Sequence, residues 1–191
     1  MTAVHEGRSI DTTMGFTPLD GLMMATRCGA LDPGLLLYLQ SECGIGITTM
    51  QDALARNSGL LGVSGVSADI RAVISAAAAG NEAARLAYER FILYGRRGLG
   101  AMSGSLGGVD AVVFTGGIGE HSAQVRHDLM RALGPDLIDR RRNEAARIGN
   151  SAPGTDVVEI GADLPRVLVI GAREDRIIAR DVRAVAHAAR V

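Results

Sequence analysis

The stretch from Asp110 to His127 constrains the fold more than any other. Asp110-Ala111-Val112-Val113-Phe114 is a short apolar run led by an acid and predicts a buried strand. Thr115-Gly116-Gly117-Ile118-Gly119 follows as a glycine-rich turn, and a helix is predicted from Glu120 onward, with acid in its first turn and base further on. A strand, a glycine turn and a helix in that order can present backbone N–H groups to a ligand, because glycine lets a ligand lie against the chain. The same spacing also serves a plain tight βα connection. A second unit of this kind runs from Arg166–Ile170 through Gly171-Ala172 into a helix from Arg173 to Ala189. Its strand is continuously apolar, which predicts a central position. The two units are expected to be neighbours in one sheet, so the fold class is α/β.

The remaining elements follow from caps and turns. Glu6-Gly7 predicts a hairpin between Thr2–Val4 and Arg8–Asp11. Thr12 to Gly21 reads as a long connection of the kind that carries function. Asp32 predicts an N-cap for a helix from Pro33 to Glu42, and Thr48–Arg56 a second helix, closed by Asn57-Ser58-Gly59. Helices are further predicted from Ser67–Arg71 to Ala79 and from Asn81 to Met102. Gly95, Gly98 and Gly100 on the latter suggest close approach of another helix or subunit. Gly134-Pro135 stops the helix after Asp110–His127; Asp139–Ile148 predicts a polar, solvated helix and Asp156–Ile160 another strand. Ser103-Gly104-Ser105 and Ser64-Gly65 read as loops, and His5, His127 and His187 as surface residues without metal or triad spacing. No repeat or linker divides the chain.

Charge narrows the chemistry. The 191 residues carry a net charge of -1, which gives no electrostatic case for nucleic acid or an anionic membrane. No apolar run has the length of a membrane span, and Met1–Gly7 lacks the basic start and apolar middle of a signal peptide. Cys28 and Cys43 form neither a disulfide framework nor a metal pattern. All 20 basic residues are arginine. A P-loop lysine, a protein-kinase lysine and Schiff-base chemistry are therefore excluded. Phosphate must be held by backbone N–H groups, by arginine or through a metal. A dehydrogenase motif fits poorly, since Asp136 and Asp139 fall in a polar turn and not at a strand end.

Gly7 to Arg27, with Gly15-Phe16-Thr17-Pro18-Leu19-Asp20-Gly21 and Thr26-Arg27 inside it, resembles the acetate kinase family. Ser58-Gly59-Leu60-Leu61-Gly62, Ser67-Ala68-Asp69-Ile70-Arg71 and Val113–Glu120 resemble the same family in the same order. The resemblance implies the actin/sugar-kinase/Hsp70-like (ribonuclease H-like) fold, a mixed sheet with flanking helices. It implies one domain over residues 1–191, equivalent to the C-terminal half of such a kinase. The family's N-terminal domain and glycine-rich phosphate loop are absent, and a chain opening directly on a hairpin looks cut from something longer. The implied reaction moves a phosphoryl group from ATP to acetate, giving acetyl phosphate and ADP, with Mg2+ as cofactor, in a cytoplasmic homodimer. This chain would supply the nucleotide-binding half and be inactive alone. Propionate or butyrate kinase, and a non-catalytic nucleotide-binding or dimerisation remnant, stand as alternatives.

The resemblance also implies residue roles. Arg27 is the catalytic arginine, whose planar fork suits a phosphoryl group; read alone, an arginine in a Thr-Arg-Cys-Gly turn is a surface ion pair. Pro18 belongs to the pocket for the acid's methyl group, or is simply a turn proline. Asp69, Ile70 and Arg71 match a nucleotide-binding segment; the plain alternative is a helix cap with a surface pair. Gly117, Ile118, Gly119, Glu120 and His121 match the adenosine loop, with His121 where the family has asparagine. Glu174 matches the magnesium-linked acid, or complements a helix N-terminus. Arg173-Glu174-Asp175-Arg176 replaces the family's Asn-Glu-Glu-Leu.

Overall fold

A helix of 25 residues, Glu82–Leu106, is the spine on which the first half of the chain is packed. The structure is a computed structural model that describes residues 1–134, 137–146, 157–161 and 164–188. Expectations that touch Pro135, Asp136, Ile148, Asp156, the His187 side chain and Ala189 lie outside that description. The chain divides into two compact units, Met1–Val109 with Asp128–Pro135, and Asp110–His127 with Asp136–Val191.

In the first unit, strands β1 (Thr2–His5) and β2 (Arg8–Thr12) pair antiparallel. Their turn places Glu6 at φ 47° and Gly7 at φ 76°, the two positive φ values of a type I′ turn. Helices α1 (Pro33–Ser41), α2 (Ile47–Arg56), α3 (Gly59–Ser64), α4 (Ile70–Ala78) and α5 (Glu82–Leu106) follow. The predicted caps form: Asp32 accepts from the Gly34 N–H, Asp69 from Arg71 and Asn81 from Ala84. The buried residues of α5 are Ala84, Ala87, Ile92, Gly95, Gly98, Leu99 and Met102, the spacing of one helix face. That face meets α3, α4 and the hairpin around Leu60, Ile70 and Val73. Two of the three predicted close glycines are explained within the unit. A Cβ on Gly95 would collide with Leu129, and one on Gly98 would lie 2.9 Å from Leu22 Cδ2. Gly100 faces open space.

Two expectations fail here. Ser103-Gly104-Ser105 is not a loop but the last turn of α5, which ends at Leu106 with Gly107 left-handed at φ 71°. Ser64 likewise ends a helix, α3, where a turn and loop were expected. The N–H groups of Leu60 and Leu61 donate to Met24 and Ala25 carbonyls, so α3 is stabilised from outside itself.

In the second unit the sheet order is β3 (Ala111–Phe114), β5 (Arg166–Ile170), β4 (Val157–Glu159). Strands β3 and β5 are parallel with Val112 opposite Val167, while β4 runs antiparallel to β5. The predicted neighbours are thus neighbours, and β5 is central with Val167 and Val169 fully buried. Strand β3 is an edge, and Ala111 and Val113 are exposed, not buried as expected. The glycine segment after β3 is itself helical. Helix α6 (Gly116–His121) breaks at Ser122 before α7 (Ala123–Met130). Helix α8 (Arg140–Ala145) is capped by Asp139 and is not solvated all round, because Asn143 is buried. Helix α9 (Glu174–Ala188) closes the described chain. None of the described helices is long and apolar enough to cross a membrane.

Candidate functional site

Arg27 stands on a turn whose every neighbour is tied down. The Met24 N–H donates to the Arg27 carbonyl at 3.2 Å. The Met24, Ala25 and Thr26 carbonyls accept from Leu60, Leu61 and Ser58 at 2.9–3.0 Å, and the Cys28 N–H donates to Leu54 at 3.0 Å. Thr26 Oγ1 adds a bond to the Ala55 carbonyl at 3.1 Å. Gly59 makes this possible: its φ is +62°, and a Cβ there would collide with the Met24 carbonyl and lie 2.8 Å from that of Arg27. The backbone is fixed, yet the Arg27 side chain is exposed and has no hydrogen bond or ion pair among the described residues. The surface ion pair that the sequence left open does not form among the described residues.

Pro18 lies on the same loop. It is exposed in a turn closed by Asp20 N–H to Thr17 O at 3.4 Å, with Met14 and Phe16 also exposed. The loop's neck is pinned by the Ala30 N–H to Gly21 O at 2.9 Å. What it presents is an apolar rim and, past the neck, the Arg27 guanidinium.

Asp69, Ile70 and Arg71 divide. Asp69 caps α4, and its carboxylate takes the Arg71 guanidinium through Nε at 3.1 Å and Nη2 at 2.6 Å. The side-chain bond from Arg71, then the Arg71 N–H, hold the Asp69 carboxyl down at about 2. Both the cap and the surface pair are therefore real. Ile70 is 5% exposed and belongs to the core, so a nucleotide could meet only its backbone.

In the second unit, α6 carries Gly117 to His121 directly past the end of β3, and α9 opens with Glu174 past the end of β5. These are adjacent parallel strands, and their C-terminal edge is where open α/β sheets bind ligands. Gly117 and His121 are exposed. The left-handed residue is Gly116, at φ +74°, and a Cβ on Gly117 would meet nothing within 4 Å. The position that requires glycine for its backbone conformation is therefore Gly116 and not Gly117. Glu120 does not face outward as a nucleotide contact would. It is buried, and its Oε1 accepts the Gly116 N–H at 2.7 Å and the Ala172 N–H at 2.9 Å.

Behind α6 lies a residue that sequence reasoning missed. Arg126 is 1% exposed and donates five hydrogen bonds. Its Nη1 reaches the Gly119 and Glu120 carbonyls at 2.8 and 2.9 Å, and its Nε the Asn143 Oδ1 at 2.7 Å. Nη2 reaches the carbonyls of Asn143 at 2.7 Å and Ala146 at 3.2 Å. These carbonyls end α6 and α8, so one cation sits at the negative ends of two helices. Burial still pushes the guanidinium below its ordinary value. Nothing in Gln124-Val125-Arg126-His127 distinguishes that arginine from one on the surface.

Glu174 is exposed, with no hydrogen bond to its carboxylate among the described residues; Arg173 pairs instead with Asp175, Nε to Oδ1 at 3.2 Å. Among the described residues no group of three or more His, Cys, Asp or Glu could cage a metal. The single exposed carboxylate of Glu174 is chemically adequate for magnesium carried on a nucleotide, which keeps its waters and takes one or two carboxylates.

Solved structures place this arrangement in a class. The acetate kinase of Porphyromonas gingivalis matches 97% of this chain with a TM-score of 0.84 at 33% identity, over 46% of its own length. A propionate kinase from Francisella tularensis matches 91% with a TM-score of 0.79 at 36% identity, over 43% of its length. The chain therefore has the actin/sugar-kinase/Hsp70-like α/β fold. The acetokinase family model matches residues 1–180, and the chain belongs to that family. The acetate kinase of Nostoc punctiforme is 44% identical over 182 residues, 94% of this chain. The chain spans 44% of that relative's length.

Proposed function

We propose that this chain forms the nucleotide-binding half of a short-chain carboxylate kinase, which converts acetate and ATP to acetyl phosphate and ADP. The observation that carries the proposal is Arg27: a guanidinium with no partner among the described residues, on a turn whose backbone is fixed by hydrogen bonds from Leu54 to Leu61. A carboxylate acceptor is already ionised at neutral pH, so the reaction needs alignment and charge neutralisation and no general base. The Arg27 fork takes two oxygens of the transferring phosphoryl group, and its rigid turn means little reorganisation during transfer. Pro18, with Met14 and Phe16 beside it, offers the apolar surface for the acid's alkyl end. Asp69 and Arg71 bound the nucleotide at the start of α4. Gly117, Ile118, Gly119 and His121 receive the adenosine on an uncharged surface. Glu174 would hold a magnesium ion carried on the nucleotide, and the ion would supply neutralisation of phosphate charge.

Likeness to both an acetate kinase and a propionate kinase supports a short-chain acid without choosing its length. ATP as co-substrate and two unbridged cysteines favour the cytoplasm. A homodimer through this half belongs to the same reading, supported by the exposed Leu35, Leu37 and Tyr38 of α1. Light scattering that finds a monomer at micromolar and higher concentrations removes the dimer.

The activity is tested on Arg27, in an enzyme carrying both halves and assayed by hydroxamate trapping of acyl phosphate. Arg27→Ala lowers kcat about 10³-fold, as for arginines that stabilise phosphoryl transfer, with KM for ATP little changed. Arg27→Lys recovers little, since an ammonium lacks the fork. A kcat that survives while KM rises makes Arg27 a binding residue and contradicts the assigned role.

A further inference from the structure

Resting on the reading above, we propose that Glu120 is a positioning residue that fixes the adenosine loop against the magnesium-side acid, Glu174, and does not itself touch the ligand. The backbone ladder between β3 and β5 ends at Phe114 opposite Val169. Beyond that pair the two chains part, one into α6 and the other into the approach to α9. A single carboxylate oxygen then replaces the ladder, taking the Gly116 N–H from one side and the Ala172 N–H from the other. Gly116 opens the helix that carries Gly117–His121, and Ala172 lies two residues before Glu174. A shift of either loop must stretch a charge-assisted bond to the other.

The rest of α6 supports this assignment. Glycine is a poor helix former, and α6 contains three, Gly116, Gly117 and Gly119, so little in its own sequence favours a helix. The helix is held by its ends instead. The Glu120 carboxylate lies at its N-terminal N–H, where negative charge is favoured. The Arg126 guanidinium lies at the carbonyls of Gly119 and Glu120, where positive charge is favoured. The side chain of Glu120 is turned into the protein, and the outward surface of α6 is left to Gly117 and His121. An anion taken out of water in this way needs strong donors, and the two N–H groups supply them.

The test uses Glu120→Ala and Glu120→Gln in the full chain, read by amide hydrogen exchange and by calorimetric titration with adenosine and with magnesium ADP. Glu120→Ala is expected to speed exchange at Gly116 and Ala172 at least tenfold, with Val167 and Val169 unchanged. It should weaken magnesium ADP about tenfold more than adenosine, because the loop survives but its registration with Glu174 does not. Glu120→Gln retains an acceptor oxygen and should recover most of both effects. Unchanged exchange at Gly116 and Ala172 overturns the bridge. Equal loss of adenosine and magnesium ADP, as severe in Glu120→Gln as in Glu120→Ala, makes Glu120 a ligand contact and overturns the positioning role. Wild-type protein that binds neither ligand, with exchange altered as expected, overturns the nucleotide reading and the functional half of this proposal with it.

Discussion

The Arg27 turn and the α6 segment solve opposite problems. Around Arg27 the backbone is held by other backbone, from Leu54 to Leu61, and the charge is left over. Around α6 the backbone is held by charge, Glu120 at one end and Arg126 at the other, and an uncharged surface is left over. The first arrangement suits a group that must meet developing negative charge, where a free and preoriented cation is worth most. The second suits a flat, neutral ligand such as a nucleoside, which needs room against the chain and few charges. Both use glycine, but differently. Gly59 is required by steric contact with the Arg27 turn, whereas Gly117 has open space where a Cβ would go.

The contrast can be broken from either side, and the larger effect lies on the α6 side. Arg126→Met removes a buried cation and strands the carbonyls of Gly119, Glu120, Asn143 and Ala146. It should destabilise the second unit by about 3–5 kcal/mol, the range for an uncompensated buried polar cluster. Tyr38, Tyr88 and Tyr94 all lie in the first unit, so fluorescence would miss this loss. Amide exchange at Val167 and Val169 would register it. A loss below about 1 kcal/mol would mean that Arg126 does not hold α6. On the other side, Gly59→Ala should cost about 2–3 kcal/mol, from a left-handed backbone and collision with the Met24 carbonyl. In an enzyme with both halves it should lower kcat through Arg27 while leaving adenosine affinity alone. Tyrosine-monitored denaturation and steady-state kinetics together check this. A fall in adenosine affinity to match kcat would erase the distinction between the two regions.

What the sequence revealed divides along the same line. Features with local causes were legible: the caps at Asp32, Asp69 and Asn81, the Glu6-Gly7 turn, and the pairing of β3 with β5. Features with distant causes were not. Helix α3 contains Gly59 and Gly62 and looks like a turn, because the bonds that hold it run to Met24 and Ala25. The glycine segment after β3 looks like a loop, because its helix rests on Arg126 and on the reach of Glu120 to Ala172. Arg126 finds its acceptor on Asn143, 17 residues on, beyond any helical period. The short apolar run Ala111–Phe114 gave the strand but not its exposure, since edge or centre is decided by what pairs beside it. Of the site residues, positions came from motif and environments came only from structure. Ile70 turned inward to the core, Glu120 to the backbone, and Arg27 to no partner among the described residues.

The most direct test of the α6 assignment is a calorimetric titration of adenosine, ADP and inorganic phosphate into the full chain and its Gly117→Val variant, at low and high salt. The fold should survive the substitution, since the added side chain enters open space and Gly117 is not left-handed. Wild-type chain is expected to bind adenosine and ADP weakly, with little dependence on salt, and Gly117→Val to bind neither. Equal binding of adenosine by the two proteins would place the nucleotide elsewhere. Tight, salt-sensitive binding of inorganic phosphate lost in Gly117→Val, with no binding of adenosine, would make the loop a phosphate cradle and contradict the account.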